Sequence, residues 1–303
     1  MGRPLKIVSL LPSATEALFA LGAGDSVVGV TFECDYPPQA RTRRVVSTSA
    51  LPEGLPPAQI DAVVAARMAA GEDLYHLDEG ALSGLDPDLV VTQDLCAVCA
   101  VDVSVVDDAL SYLGCRAQVL TLDPQDLEQV LGSFVQLGLA VGREDAAQAL
   151  VAGLRSRLDA VEVAVRGRRR VPTMVLEWTD PPFAPGHWIP EMVTRAGGMP
   201  VLGRAGERSK RTTWEAVAAA APEVVVCAPC GYDLPGSVSL AEAVVAEGRL
   251  PRGVPVWAVD ASASFARPGP RLVEGVEALA ALLHPDAGIR LDSRRAHRLP
   301  DPA

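Results

Sequence analysis

Short β-branched runs alternate along the chain with longer stretches whose apolar positions recur every three or four residues, the pattern of strand followed by helix. Residues 6–11 (KIVSLL) predict a first strand. Ser13 and Glu16 have the S-x-x-E spacing of a capping box, opening a helix that Gly22 can close. A short strand is expected at 26–31, then a loop at 32–38 that Pro37 and Pro38 hold extended. Residues 52–57 read as a proline-rich loop, 59–70 as a helix, 105–113 as a helix and 117–122 as a strand. Asp123 and Pro124 then suit an N-cap and a first helical position, opening a mostly helical stretch to about Arg166. Within it Leu150, Leu154, Leu158, Val161 and Val165 keep helical spacing. Strands at 173–178 and 255–259 and a helix at 270–283 complete the pattern, and the arginine-rich residues after His284 read as a frayed tail.

One piece of this pattern occurs twice. Residues 81–91 read ALSGLDPDLVV and residues 216–226 read AVAAAAPEVVV, and each copy runs on into a Cys-x-x-Cys, Cys96 with Cys99 and Cys227 with Cys230. A small-residue helix, a Pro-acid stop and a β-branched strand therefore predict two similar lobes. The fold class that follows is α/β: two βα sandwich lobes with mainly parallel sheets joined by one long backbone helix. Its boundaries fall at 1–122 for the N-terminal lobe, 123–168 for the linker, 169–286 for the C-terminal lobe and 287–303 for a disordered tail. Ligands of open parallel sheets sit beyond the carboxyl ends of the strands, where these cysteines fall. Cysteine is also among the most buried residue types, a reading that suits Cys115 and Cys227, which lie within apolar sequence.

Composition narrows the function. A chain of 303 residues exceeds what one core supports, and 49% hydrophobic residues can fill two. The formal charge of -11 repels phosphate backbones and anionic lipid, which argues against nucleic acid as a partner. No apolar run approaches the roughly 18 residues of a membrane span. Arg3 and Lys6 precede an apolar stretch that Pro12 cuts short, too brief for a signal peptide, so the expected location is cytoplasmic, and extracytoplasmic only if the start codon lies elsewhere. In a reducing compartment, Cys-x-x-Cys suggests metal or redox chemistry rather than a disulfide. There is no G-x-S-x-G elbow, Walker loop, H-E-x-x-H or G-x-G-x-x-G in strand-helix context, so binding is favoured over catalysis.

Three stretches carry a resemblance: Asp35-Tyr36-Pro37-Pro38-Gln39-Ala40; Pro181-Pro182-Phe183 with Gly186, Gly197 and Gly198; and Phe265-Ala266-Arg267 ahead of Pro270-Arg271. Over roughly residues 5 to 285 the chain resembles the vitamin B12 (cobalamin) solute-binding proteins of ABC transporters, within the helical-backbone metal-receptor group that also binds haem and siderophores. The resemblance implies a corrinoid held between the lobes against Tyr36, Trp178 and Phe183, because aromatic side chains cover a flat macrocycle at low entropic cost. It also places His187, Trp188, Asp260 and Phe265 at the ligand. Ser49 and Ser264 stand where the family's tryptophans are expected, and Ala263 replaces an aspartate whose space Asp260 could reach. Glu79 and Glu215, at nearly equivalent offsets in the two copies, match the acidic residues with which the family docks its permease.

The same placement brings Cys34, Cys96, Cys99 and Cys230 toward the cleft, where four thiolates would form a closed shell for zinc or an iron-sulfur cluster. The sequence thus carries two readings: a protein binding a corrinoid or related metal-bearing cofactor, and a cytoplasmic metalloprotein or enzyme built on those cysteines.

Overall fold

The computed structural model describes residues 3–52, 54–70, 72, 74–77, 80–93 and 117–300. The chain divides into two compact units, Met1–Pro124 with Leu131–Val151, and Gln125–Val130 with Ala152–Ala303. Both are α/β, with mainly parallel sheets.

In the first unit six strands, β1 (Ile7–Ser9), β2 (Val27–Thr31), β3 (Arg44–Ser49), β4 (Tyr75–Leu77), β5 (Leu89–Thr92) and β6 (Gln118–Thr121), lie in the order β4-β3-β2-β1-β5-β6. Every pairing is parallel except that of β3 with β4. Central β1 and β5 are buried along their whole length. That is why they read as continuous apolar runs rather than as alternating ones. The core beneath gathers Val8, Leu10, Val46, Leu74, Leu82 and Val90.

The second unit repeats the plan. Strands β7 (Val171–Leu176), β10 (Gly198–Pro200), β12 (Val224–Cys227), β13 (Val256–Val259) and β14 (Ala296–Arg298) take the order β10-β7-β12-β13-β14, parallel except for β13 with β14. A separate antiparallel sheet, β11-β9-β8, is formed by β8 (Trp178–Thr179), β9 (Pro182–Ala184) and β11 (Lys210–Arg211). Edge strand β14 corrects the expected disordered tail. Residues 296–298 pair with β13, and Leu299 packs into the core with Met174, Val225 and Ala258. Ala296 and Leu299, the buried apolar positions here, are too few in an arginine-rich stretch to announce a strand by periodicity.

Helix α1 (Pro12–Ala20) starts one residue before the expected capping box. Its N-cap is Leu11, with no side-chain cap, Pro12 stands in the first turn, and Glu16 is buried. Proline tolerates that position because its missing N–H would have had no intrahelical partner. After α2 (Pro57–Ala70), the expected helical stretch resolves into α3 (Leu127–Ala140) and the 22-residue α4 (Glu144–Val165). The N-cap falls at Asp126 rather than Asp123, its Oδ1 accepting the Gln129 N–H at 2.7 Å. Between the two helices a Cβ on Gly138 would collide with Ala147, so only glycine allows the approach. Helices α5 (Ile189–Arg195), α6 (Trp214–Ala219), α7 (Leu234–Ala246), α8 (Ala261–Ser264) and α9 (Leu272–Leu283) complete the second unit. Among the described residues no helix is long and apolar enough to cross a membrane. The helix expected at 105–113 lies outside those residues.

Candidate ligand-binding site

Strand order points to where a ligand belongs. In the first sheet the chain leaves β1 for β2 and β3 on one side, while β5 and β6 lie on the other, so the order reverses between β1 and β5. In the second it reverses between β7 and β12. Crevices open at the carboxyl ends of strands flanking such a reversal, because the connecting loops diverge there to opposite faces.

In the first unit the β1 and β5 ends hold a buried polar group. Thr15 Oγ1 donates to Ser9 Oγ at 2.9 Å and lies 3.0 Å from Cys34 Sγ, with Thr92 and Gln93 also buried at the end of β5. Cys34 as a whole is 3% exposed. Farther out, Tyr36 and Phe32 are exposed at 44% and 42%, and the Phe32 ring lies 5.8 Å from that of Tyr75, whose hydroxyl donates to Glu33 at 2.9 Å. Of the expected residues, Tyr36 is thus presented to solvent and Cys34 is not.

In the second unit the chain turns from β7 into the β8-β9 hairpin, whose register pairs Trp178 directly with Phe183. Directly opposed residues of an antiparallel pair share a face, so the two aromatic side chains lie side by side. The Trp178 ring stands 5.8 Å from Tyr232, and the Arg211 guanidinium lies 6.0 Å above Phe183. Trp178, Phe183 and Tyr232 are each half-buried. Apolar ring area is therefore available beside a cation. The β12 end is stitched to it, since the Ala228 N–H donates to Leu176 O at 2.9 Å and the Cys230 N–H to Glu177 O at 3.0 Å. Cys230 is exposed at this edge.

Beneath the hairpin lies Glu177. The residue retains some surface, but protein atoms enclose its carboxyl, and this desolvation raises the pKa to about 7. Hydrogen bonds from the Ser209 side chain and from the Gly186 N–H, at 3.3 Å, oppose the shift without cancelling it. Next to it His187 adopts a left-handed φ of 49°, and its buried Nε2 has no hydrogen-bond partner. Desolvation, aided by the nearby Arg208, disfavours the imidazolium. Neutral imidazole results.

Several expected site residues serve the scaffold instead. Trp188 is buried, its Nε1 donating to Phe265 O at 2.7 Å, and Phe265 has no exposed surface. Asp260 caps α8 by accepting the Ala263 N–H at 3.1 Å and pairs with Arg295 at 3.6 Å. Glu215 is not among these: it is exposed in the first turn of α6, its carboxyl held below the usual range by its own backbone N–H and the Thr213 hydroxyl. Glu79, Cys96 and Cys99 lie outside the described residues.

The thiol cluster finds no support. Of its four expected members, Cys34 is enclosed beside Thr15, Cys230 is exposed, and Cys96 and Cys99 lie outside the described residues. Cys227, read from the sequence as a buried residue, is fully buried, and desolvation pushes its thiol up to about 12. Among the described residues no three His, Cys, Asp or Glu side chains are grouped to hold a metal ion. Sequence reasoning also missed Glu177, Tyr232 and Arg211. Arg211 was findable as a cation in a basic segment, whereas Glu177 and Tyr232 gain their neighbours only through sheet order.

A family model described as periplasmic binding protein matches residues 7–245. An uncharacterized ABC transporter substrate-binding lipoprotein of Bacillus subtilis is 27% identical over 93% of this chain and 81% of its own length. A vitamin B12-binding protein of Photorhabdus laumondii is 50% identical over 38 residues, 12% of this chain and 14% of that one. Among solved structures, a periplasmic heme-binding protein of Pseudomonas aeruginosa superposes with a TM-score of 0.73 at 20% identity, covering 99% of this chain and 100% of its own. The periplasmic vitamin B12-binding protein of Vibrio cholerae gives 0.61 at 20% identity, over 94% and 98%. These structures show the fold. Together with the family match they overturn the expected cytoplasmic location, since the relatives are periplasmic proteins or lipoproteins. The apolar stretch weighed as a leader is strand β1, part of the folded sheet, so it carried no information on export. With one family model spanning most of its length, the chain belongs to the periplasmic binding protein family.

Proposed function

We propose that the protein is the extracytoplasmic substrate-binding component of an ABC transporter and that its cargo is a flat, metal-bearing macrocycle, a corrinoid in the first instance. The observation that carries this reading is the aromatic surface at the strand-order reversal of the second unit, where Trp178 opposes Phe183 and lies 5.8 Å from Tyr232. Such a surface offers a large apolar face at little entropic cost, which suits a rigid ring system. Tyr36 is an aromatic side chain presented to solvent in the first unit. Haem is the second reading, favoured by the heme-binding proteins among the solved relatives and by serines at positions 49 and 264 where the cobalamin family carries tryptophan.

The test is titration of ligand-free protein with cyanocobalamin and, separately, with haemin, followed by visible absorbance and calorimetry. Saturable binding of one with shifted bands is expected, weakened about tenfold or more in Trp178→Ala from the loss of one large aromatic contact. Additive spectra with both compounds would overturn the cargo assignment. Glu215, with Glu79, is proposed to dock the permease, so Glu215→Lys should lower cargo-stimulated ATPase activity while leaving cargo affinity unchanged.

A further inference from the structure

Residues 203–211 carry Arg204, Arg208, Lys210 and Arg211 against one acid, Glu207, within a chain of formal charge -11. This segment forms a wall of a solvent-open cavity of about 520 Å³ in the second unit, with Ala184, Pro185, Val201 and Leu202 supplying apolar lining. Backbone contacts fix the walls. The His187 N–H donates to Glu207 O at 2.6 Å and the Gly206 N–H to His187 O at 3.0 Å. A Cβ on Gly203 would collide with the Pro185 carbonyl, and one on Gly186 with Glu207 O and Ser209 N. Two loops therefore meet main chain to main chain, and the basic side chains stand on a firm frame.

We infer that this cavity binds a small free oxyanion, a carboxylate or phosphate compound, distinct from the macrocycle proposed as cargo. Its volume lies within the range of small-molecule sites, about 300–1,000 Å³. Arg204, Arg208 and Lys210 line it, with Glu207 the one acid among the lining residues. Guanidinium forks match the oxygen geometry of carboxylate and phosphate, and an ammonium adds a point charge. Glu207 is the built-in competitor, its Oε2 lying 2.7 Å from Lys210 Nζ and its Oε1 3.9 Å from Arg204. Both pairs are exposed, and exposed pairs hold weakly, so an incoming anion displaces Glu207 at little cost.

The experiment is calorimetry and thermal melting of the full chain at low ionic strength with citrate and with inorganic phosphate, the two probes distinguishing a carboxylate from a phosphate preference. At least one should bind saturably and raise the melting temperature through linkage. Arg208→Gln should weaken binding about tenfold, the scale of one charge-assisted contact. Glu207→Gln should tighten it several-fold. Because tightening cannot come from misfolding, this second variant decides the matter where Arg208→Gln disturbs the loop. Absence of saturable heat with both probes, or binding that neither variant changes, would overturn the site.

Discussion

The two copies of the Pro-acid-strand segment share an ending and differ in their approach. In each, the residue before the proline has a left-handed φ, 49° at Asp86 and 48° at Ala221. In each, the acid after the proline is tied to an arginine ahead of the unit's first strand, Asp88 to Arg3 at 2.6 Å and Glu223 to Arg169 through both carboxylate oxygens. The strand that follows is a central, fully buried one, β5 or β12. Upstream, residues 81–85 are turns, whereas the equivalent stretch in the second unit includes helix α6. Gly80 and Gly84, with φ of 72° and 75°, explain the difference. Each glycine costs a helix about 1 kcal/mol relative to alanine. The second copy has an alanine run and a Thr213 cap that accepts the Ala216 N–H at 3.1 Å. What persists between the copies is the device that launches a central strand, and the helix is dispensable.

The contrast sharpens just past the first strand of each unit. Val8 pairs with Val90 and Met174 with Val225, so Leu11 of the first unit corresponds to Glu177 of the second. Leu11 is buried apolar matter, while Glu177 is a desolvated carboxyl with a pKa of about 7. Its folded pKa exceeds the unfolded value of 4.5, so the folded second unit binds the extra proton. The contribution is full below pH 4.5 and is lost as pH rises through 7, on the order of 3 kcal/mol. Urea melts from pH 4 to 8 should show this slope in the wild type and lose it in Glu177→Gln. A first unit with the same slope would break the comparison.

A smaller effect tests the equivalence of the central strands. Val90→Ala and Val225→Ala remove buried methyls at 0% exposure and should each cost about 2 kcal/mol by chemical denaturation. Clearly unequal losses would mean that the repeat is one of sequence and not of packing. Smaller still is the left-handed residue. Ala221→Gly relieves a conformation that alanine disfavours and should stabilise by about 0.5 kcal/mol, after the entropy of an added glycine is subtracted. Asp86→Gly should gain less, because aspartate tolerates this region better and the change removes the contact with Arg3. Finally, iodoacetamide at pH 8 should label exposed Cys230 and spare Cys34 and Cys227, as read by mass spectrometry of the modified peptides.

Much of the frame is legible from residues alone. Fully buried strands such as VVVC must be β-branched or apolar on both faces, so the second copy announces β12 without help. Trp178 and Phe183 came forward only through the family resemblance, since their own spacing does not distinguish a site aromatic from a core one. Asp260 was not legible as a helix cap, nor Phe265 as core, because neither role leaves a mark at the residue itself. Cys34 shows the same limit, since a thiol beside Thr15 and one facing solvent look alike in one dimension.

The sequence by itself determined the two-unit α/β plan, the repeat and the small-residue positions where backbones meet, since propensity, hydrophobic period and glycine geometry are local properties. Tertiary structure decided the chemistry. The reversal of strand order brings Glu177, Trp178, Cys230 and Tyr232 to one edge, and enclosure sets the Glu177 pKa. The turn at Gly203 stands the 204–210 cations around one cavity. Desolvation and juxtaposition depend on which strands become neighbours, a property of the whole chain that no segment carries on its own.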